Sequence, residues 1–147
     1  MSMSTIGAII AEKGGAVVSI DGDATVFEAV KLMVESNVGA ILVTGSTDER
    51  IAGIFTERDY LRRIAVEGRT SRETKVNEVM SAPVVAVDPT TTVEEAMAMM
   101  TDRRIRHAPV VDGGDLAGMI SIGDLVRVMS QQQDYKIQYL TEYITAR

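Results

Sequence analysis

The chain has no cysteine, no tryptophan, one histidine and three prolines in its 147 residues. Without cysteine there is neither a disulfide nor a thiolate-bound metal, and cysteine usage cannot place the protein in a redox compartment. The single histidine, His107, has no carboxylate pair beside it in sequence and cannot build a typical metal cage. No run of about 18 apolar residues occurs, so no membrane-spanning helix is expected. The opening MSMSTIGAII lacks the basic region and long apolar stretch of a secretion signal, which makes the cytoplasm the expected location. Positive charge is scarce as well: 15 Lys and Arg against 21 Asp and Glu leave a net charge of −6. A nucleic-acid partner is therefore not expected, although local arginines can still gather around a phosphate. Neither a P-loop nor a G-x-G-x-x-G loop is present. No base, nucleophile and metal set is readable, so the chain is not expected to be an enzyme and no catalytic cofactor is implied.

What the chain does contain is a duplication. GIFTERD at 53–59 returns as GMISIGD at 118–124, each reading glycine, two apolar residues, a hydroxyl residue, two variable residues and aspartate. The match extends upstream: Val17 aligns with Val84, Ile20 with Val87, Thr25 with Thr92 and Glu28 with Glu95. Each half reads strand–helix–strand–strand–helix. AVVSI and PVVAV are short β-branched runs. Thr25-x-x-Glu28 and Thr92-x-x-Glu95 are capping boxes, in which the Thr oxygen takes a free helix N–H and the Glu reaches back. Val26, Ala29, Val30 and Met33 then share a helix face, as do Val93, Ala96, Met97 and Met100. GAILV and HAPVV read as buried strands, followed by turn-rich segments and by IAGIF and LAGMI. DGGD (112–115) lacks the further oxygen ligands of a calcium loop and reads as a hairpin turn. AMAMM (96–100) reads as core or dimer surface. A last helix starts just after Thr56 and again after Ser121.

This gives an α+β fold with a first repeat and its N-terminal helix over 1–68, a linker over 69–74, a second repeat over 75–130 and a helical extension over 131–147. About 60 residues per half is marginal alone, and the simplest solution packs the two halves about a pseudo-twofold axis. The extension places Tyr135, Tyr139, Leu140 and Tyr143 at roughly helical spacing, which suits packing on another subunit or on the chain's own N-terminal helix.

The paired hydroxyl and aspartate admit two readings that are compatible. Thr56-x-x-Asp59 and Ser121-x-x-Asp124 fit a capping box that merely starts a helix. Asp is shorter than the Glu of the other two boxes, and an ionised carboxylate can also accept both hydroxyls of a ribose through charge-assisted bonds. A hydroxyl beside the free N–H groups of a helix start suits a phosphate or ribose oxygen.

The order of elements, the IRHAPVV strand entry and the repeated Gly-x-x-Ser/Thr-x-x-Asp ending resemble a tandem pair of cystathionine-β-synthase-type (CBS) domains, over roughly residues 5–130. No single motif is specific, but the duplicated series is. The resemblance implies a stand-alone, non-catalytic regulatory module that binds AMP or another adenine nucleotide, NAD included, in clefts between the repeats. It also implies a homodimer and an output through a separate protein. Asp59 and Asp124 would hold ribose, with Thr56 and Ser121 near phosphate or ribose. The first cleft would collect Thr56, Arg58 and Asp59 with Pro83, Val84, Val85, Arg106 and His107. The second would collect Ser121, Gly123 and Asp124 with Ala16, Val17, Val18, Val38, Gly39 and Ala40. Arg58, Arg106 and His107 make the first cleft the expected tighter site for a charged nucleotide. The alternative is a ligand-independent interaction scaffold of the same fold.

Overall fold

The computed structural model describes residues 4–45 and 51–132. The chain forms two compact units, one of residues Val17–Val85 and one that joins Met1–Ala16 to Ala86–Arg147.

In the Val17–Val85 unit, β1 (Ser19–Asp21) runs parallel to β2 (Ala40–Thr44), which is antiparallel to β3 (Ile51–Thr56), in the order β1-β2-β3. Helix α2 (Val26–Ser36) starts on the Thr25 capping box and stops at Asn37 in the left-handed region, φ 55°. Its buried residues Val26, Ala29 and Met33 recur at three- and four-residue spacing and face Ile41, Val43 and Phe55 of the sheet. A turn of helix α3 (Glu57–Asp59) continues as a π-helix over Tyr60–Val66, of which Ile64 is buried. Helix α4 (Val76–Val79) closes the core with Val76 and Val79. Each such aliphatic side chain, fully buried, contributes about 1.5–3 kcal/mol.

The other unit repeats this plan. Helix α5 (Val93–Arg103) starts on the Thr92 capping box and buries Val93, Ala96 and Met100. Strands β4 (His107–Asp112) and β5 (Asp115–Ser121) form an antiparallel hairpin. Its turn places Gly113 at φ 59° and Gly114 at φ 93°, the conformation a two-residue hairpin loop requires and other residues resist. Helix α6 (Ile122–Gln132) follows, and helix α1 (Ile6–Lys13) covers the core with Ile6 and Ile9. Ala96 and Met100 of AMAMM are core, while Met97 and Met99 pack at its margin.

Two sequence expectations change. PVVAV forms no regular strand: Val87 alone bridges Val110, donating to the Pro109 carbonyl at 2.9 Å and accepting from Val111 N–H at 2.9 Å. Pro83 has no N–H to offer a ladder, and the boundary between the units falls between Val85 and Ala86. The compact units also divide the chain differently from the repeats. The helix that precedes the first repeat, α1, belongs with the second, and α4 belongs with the first. The backbone explains this exchange. Ile6 and Gly7 N–H donate to the carbonyls of Thr91 and Pro89, both at 2.8 Å, and Val93 N–H donates to the Ser4 carbonyl at 3.0 Å. The counterparts are Val76 to Ala24 at 2.9 Å, Asn77 to Gly22 at 3.0 Å and Val26 to Thr74 at 2.8 Å. In both units a leading segment lies across the start of the long helix and satisfies its orphan groups.

The expected extension over 131–147 lies outside the described residues, apart from the end of α6. Among the described residues no helix is long and apolar enough to cross a membrane.

Candidate functional site

Both hydroxyl–aspartate turns sit where a half-buried strand hands over to a helix. In the first, Thr56 Oγ1 accepts from Asp59 N–H at 3.1 Å, and Asp59 Oδ2 accepts from Thr56 N–H at 3.0 Å. The turn is a complete capping box. The carboxylate also receives two hydroxyls: Thr56 Oγ1 donates to Oδ2 at 3.1 Å, and Ser81 Oγ donates to Oδ1 at 2.8 Å. Ser81 is held in place by a reciprocal pair with Ile54, with Ile54 N–H donating at 3.0 Å and Ser81 N–H at 2.8 Å. Every one of these donors is neutral.

The second turn has the same frame and a different charge. Asp124 Oδ2 accepts from Ser121 N–H at 2.9 Å, and Ser121 Oγ accepts from Asp124 N–H at 3.2 Å. Asp124 is 6% exposed. Lys13 Nζ, from the end of α1, donates to the same Oδ2 at 2.8 Å and to the Met119 carbonyl at 3.0 Å. Arg127 donates to Oδ1 at 2.5 Å. Burial pushes the Asp124 carboxyl up, but the bonds from Lys13 and Ser121 N–H, with the charge of Lys13 and a bond from Arg127, hold it below its ordinary value.

The glycine of the repeated motif has its own task. A Cβ on Gly118 would stand 2.6 Å from Ile10 Cδ1, and one on Gly53 would stand 2.5 Å from Met80 Sδ. Only a residue without a side chain lets the crossing segments lie this close to β5 and β3.

Of the sets expected from the resemblance, Pro83, Val84 and Val85 share a unit with Thr56, Arg58 and Asp59, and Arg106 and His107 belong to the other unit. Ala16 shares a unit with Ser121, Gly123 and Asp124, whereas Val17, Val18, Val38, Gly39 and Ala40 belong to the other. Within each unit the strand entry meets its own turn. Ala40 pairs with Thr56 and the Gly39 carbonyl accepts from Glu57 N–H at 3.0 Å; His107 pairs with Ser121 and the Arg106 carbonyl accepts from Ile122 N–H at 2.9 Å. Arg58 and Arg106 are exposed, and His107 is partly buried. Ser81, Lys13 and Arg127 escaped the sequence reading. Arg127 had a signal, its spacing of three from Asp124 on a helix. Lys13 and Ser81 had none, because each reaches its carboxylate from a distant segment. Among the described residues no cluster of three or more His, Asp or Glu could hold a metal ion.

Comparison with known proteins is consistent along the chain. A family model of the CBS domain matches residues 14–66 and 76–131. The chain is similar to CBS domain-containing protein CBSX3, mitochondrial, of Arabidopsis thaliana, with 46% identity over 83% of this chain; it spans 61% of the length of that relative. It is 37% identical to CBS domain-containing protein YhcV of Bacillus subtilis, over 79% of this chain and 81% of that one. A solved structure of a protein with CBS domains from Burkholderia ambifaria MC40-6 superposes with a TM-score of 0.83 at 43% identity, covering 88% of this chain and 96% of that chain. The hexameric CBS-CP12 protein from bloom-forming cyanobacteria superposes with a TM-score of 0.77 at 34% identity, covering 86% of this chain and 68% of that chain.

Proposed function

Because the chain belongs to the CBS-domain family and carries two copies of the domain, we propose that it is a non-catalytic regulatory module that binds adenine nucleotide at its hydroxyl–carboxylate turns and passes the signal to a separate protein. The observation that carries this reading is the coordination of Asp59. A half-exposed carboxylate whose donors among the described residues are all neutral can exchange the hydroxyls of Thr56 and Ser81 for the vicinal hydroxyls of a ribose. Each such bond to a charged acceptor contributes about 1.5–3 kcal/mol. The Burkholderia ambifaria structure is that of a candidate signal-transduction protein, which agrees with a role in signalling.

We place the tighter site at Asp59, on grounds other than the charge of Arg58 and Arg106. Asp124 is already neutralised by Lys13 and Arg127, so a ligand there must displace an ion pair. Calorimetric titration of AMP into the wild type and Asp59→Asn tests the reading. Asp59→Asn weakens the main binding event by about tenfold or more, equivalent to about 1.4 kcal/mol. Unchanged affinity in that variant, or no bound nucleotide in any preparation, overturns it.

Self-association accompanies this function. Val34 and Leu61 are 74% and 58% exposed and border a groove of about 580 Å³ that Val30, Met33 and Val38 help to line. A second copy is the occupant proposed here, in keeping with the hexameric cyanobacterial neighbour. One observation favours the scaffold reading instead: both aspartates already complete capping boxes. A thermal-shift screen with adenine ligands separates the two, since a scaffold shows no shift.

A further inference from the structure

The two carboxylates are built to differ in what they accept. A carboxylate oxygen offers about two lone pairs. Asp124 Oδ2 has both occupied, by Ser121 N–H at 2.9 Å and Lys13 Nζ at 2.8 Å. Oδ1 holds Arg127 and, among the described residues, keeps one position open. A diol that spans both oxygens must therefore vacate a position on Oδ2. The Ser121 N–H is fixed by the backbone, so Lys13 is the group that must leave. Its departure takes from the buried Asp124 carboxylate one of its two ion-pair partners, which is unfavourable unless the ligand brings a compensating interaction. Lys13 keeps the means to accept a substitute: its side chain is 38% exposed, and the described residues use two of its three N–H donors.

We propose that Lys13 is a specificity-determining residue for the Asp124 turn: as an internal counter-ion it closes that carboxylate to an uncharged diol, and a ligand that carries its own negative charge opens it by drawing Lys13 onto the anion. Asp59, whose donors among the described residues are all neutral, takes a diol of either kind. This inference rests on the nucleotide-binding reading above and adds that the two turns discriminate nucleoside from nucleoside phosphate differently.

The test uses the full chain in an Asp59→Asn background, which leaves the Asp124 turn as the remaining site. AMP and adenosine are titrated into this protein with Lys13 intact, with Lys13→Gln and with Lys13→Arg, after circular dichroism has shown that all three fold. With Lys13 or Arg present, AMP binds about tenfold or more tighter than adenosine. With Gln, adenosine gains and AMP loses, so that the ratio falls toward unity. A ratio unchanged by Lys13→Gln overturns the inference. So does an Asp59→Asn protein that binds neither ligand while the wild type binds AMP, and that outcome leaves the Asp59 site standing. A wild type that binds neither ligand overturns both.

Discussion

Gly53 lies so close to Ser81 that a Cβ built on the glycine would stand 2.8 Å from the Ser81 carbonyl oxygen, inside contact distance of a backbone atom that cannot swing aside. Its counterpart Gly118 instead meets the tip of a flexible side chain, Ile10 Cδ1. Gly53→Ala is therefore the more damaging change. We expect it to lower stability by about 2–3 kcal/mol and Gly118→Ala by about 1 kcal/mol, measured by urea unfolding. Equal costs would mean that the crossing segment after α4 yields as readily as a side chain.

Arg104 occupies the left-handed region at φ 57° where α5 ends, the position Asn37 holds after α2. A long side chain gains nothing there and is strained, at about 1–2 kcal/mol. Arg104→Gly or Arg104→Asn is expected to raise the melting temperature, with a gain of about 0.5–1 kcal/mol. Arg104 is exposed, so ligand affinity provides the control.

The depressed carboxyl of Asp124 links stability to acid. The folded state binds this proton more weakly than the unfolded chain does, so the stabilisation is complete above the unfolded value of about 3.9 and is lost as pH falls through the folded value. Glu95 and Glu78 are lowered too, by backbone bonds from Thr92 and Lys75, and contribute in the same window. Denaturant titrations between pH 5 and pH 2, chosen as bounds of about a unit or more on either side, should show a shallower decline in Asp124→Asn than in the wild type. An identical slope would place the acid sensitivity elsewhere.

Ser81→Ala removes the hydroxyl that occupies Asp59 Oδ1 and leaves the capping box of Thr56 and Asp59 intact. If a sugar hydroxyl competes for that position, adenosine and AMP should both bind severalfold tighter, by less than about tenfold. Weaker binding would show that Ser81 orients the carboxylate instead of competing for it.

Much of this was legible in the residue order. The boxes at Thr25 and Thr92, the Gly113–Gly114 turn and the buried faces of α2 and α5 follow from side-chain spacing and from bonds that span three or four residues. Those features are local, so a window of the chain contains both partners. The exchange of α1 and α4 was not legible, because the cores that receive Ile6, Ile9, Val76 and Val79 are built by residues far along the chain. The same holds for the shortening of PVVAV to one bridged residue, since a β-branched run states a preference and the ladder needs a neighbour.

By itself, then, the sequence determined that two matching units would form and that each would end in a hydroxyl and a carboxylate at a helix start, because these depend on periodicity and short-range hydrogen bonds. Only the tertiary structure decided that one carboxylate faces Ser81 and the other faces Lys13. That difference arises where segments remote in sequence cross, and the identity of the residue delivered there depends on how the whole core packs.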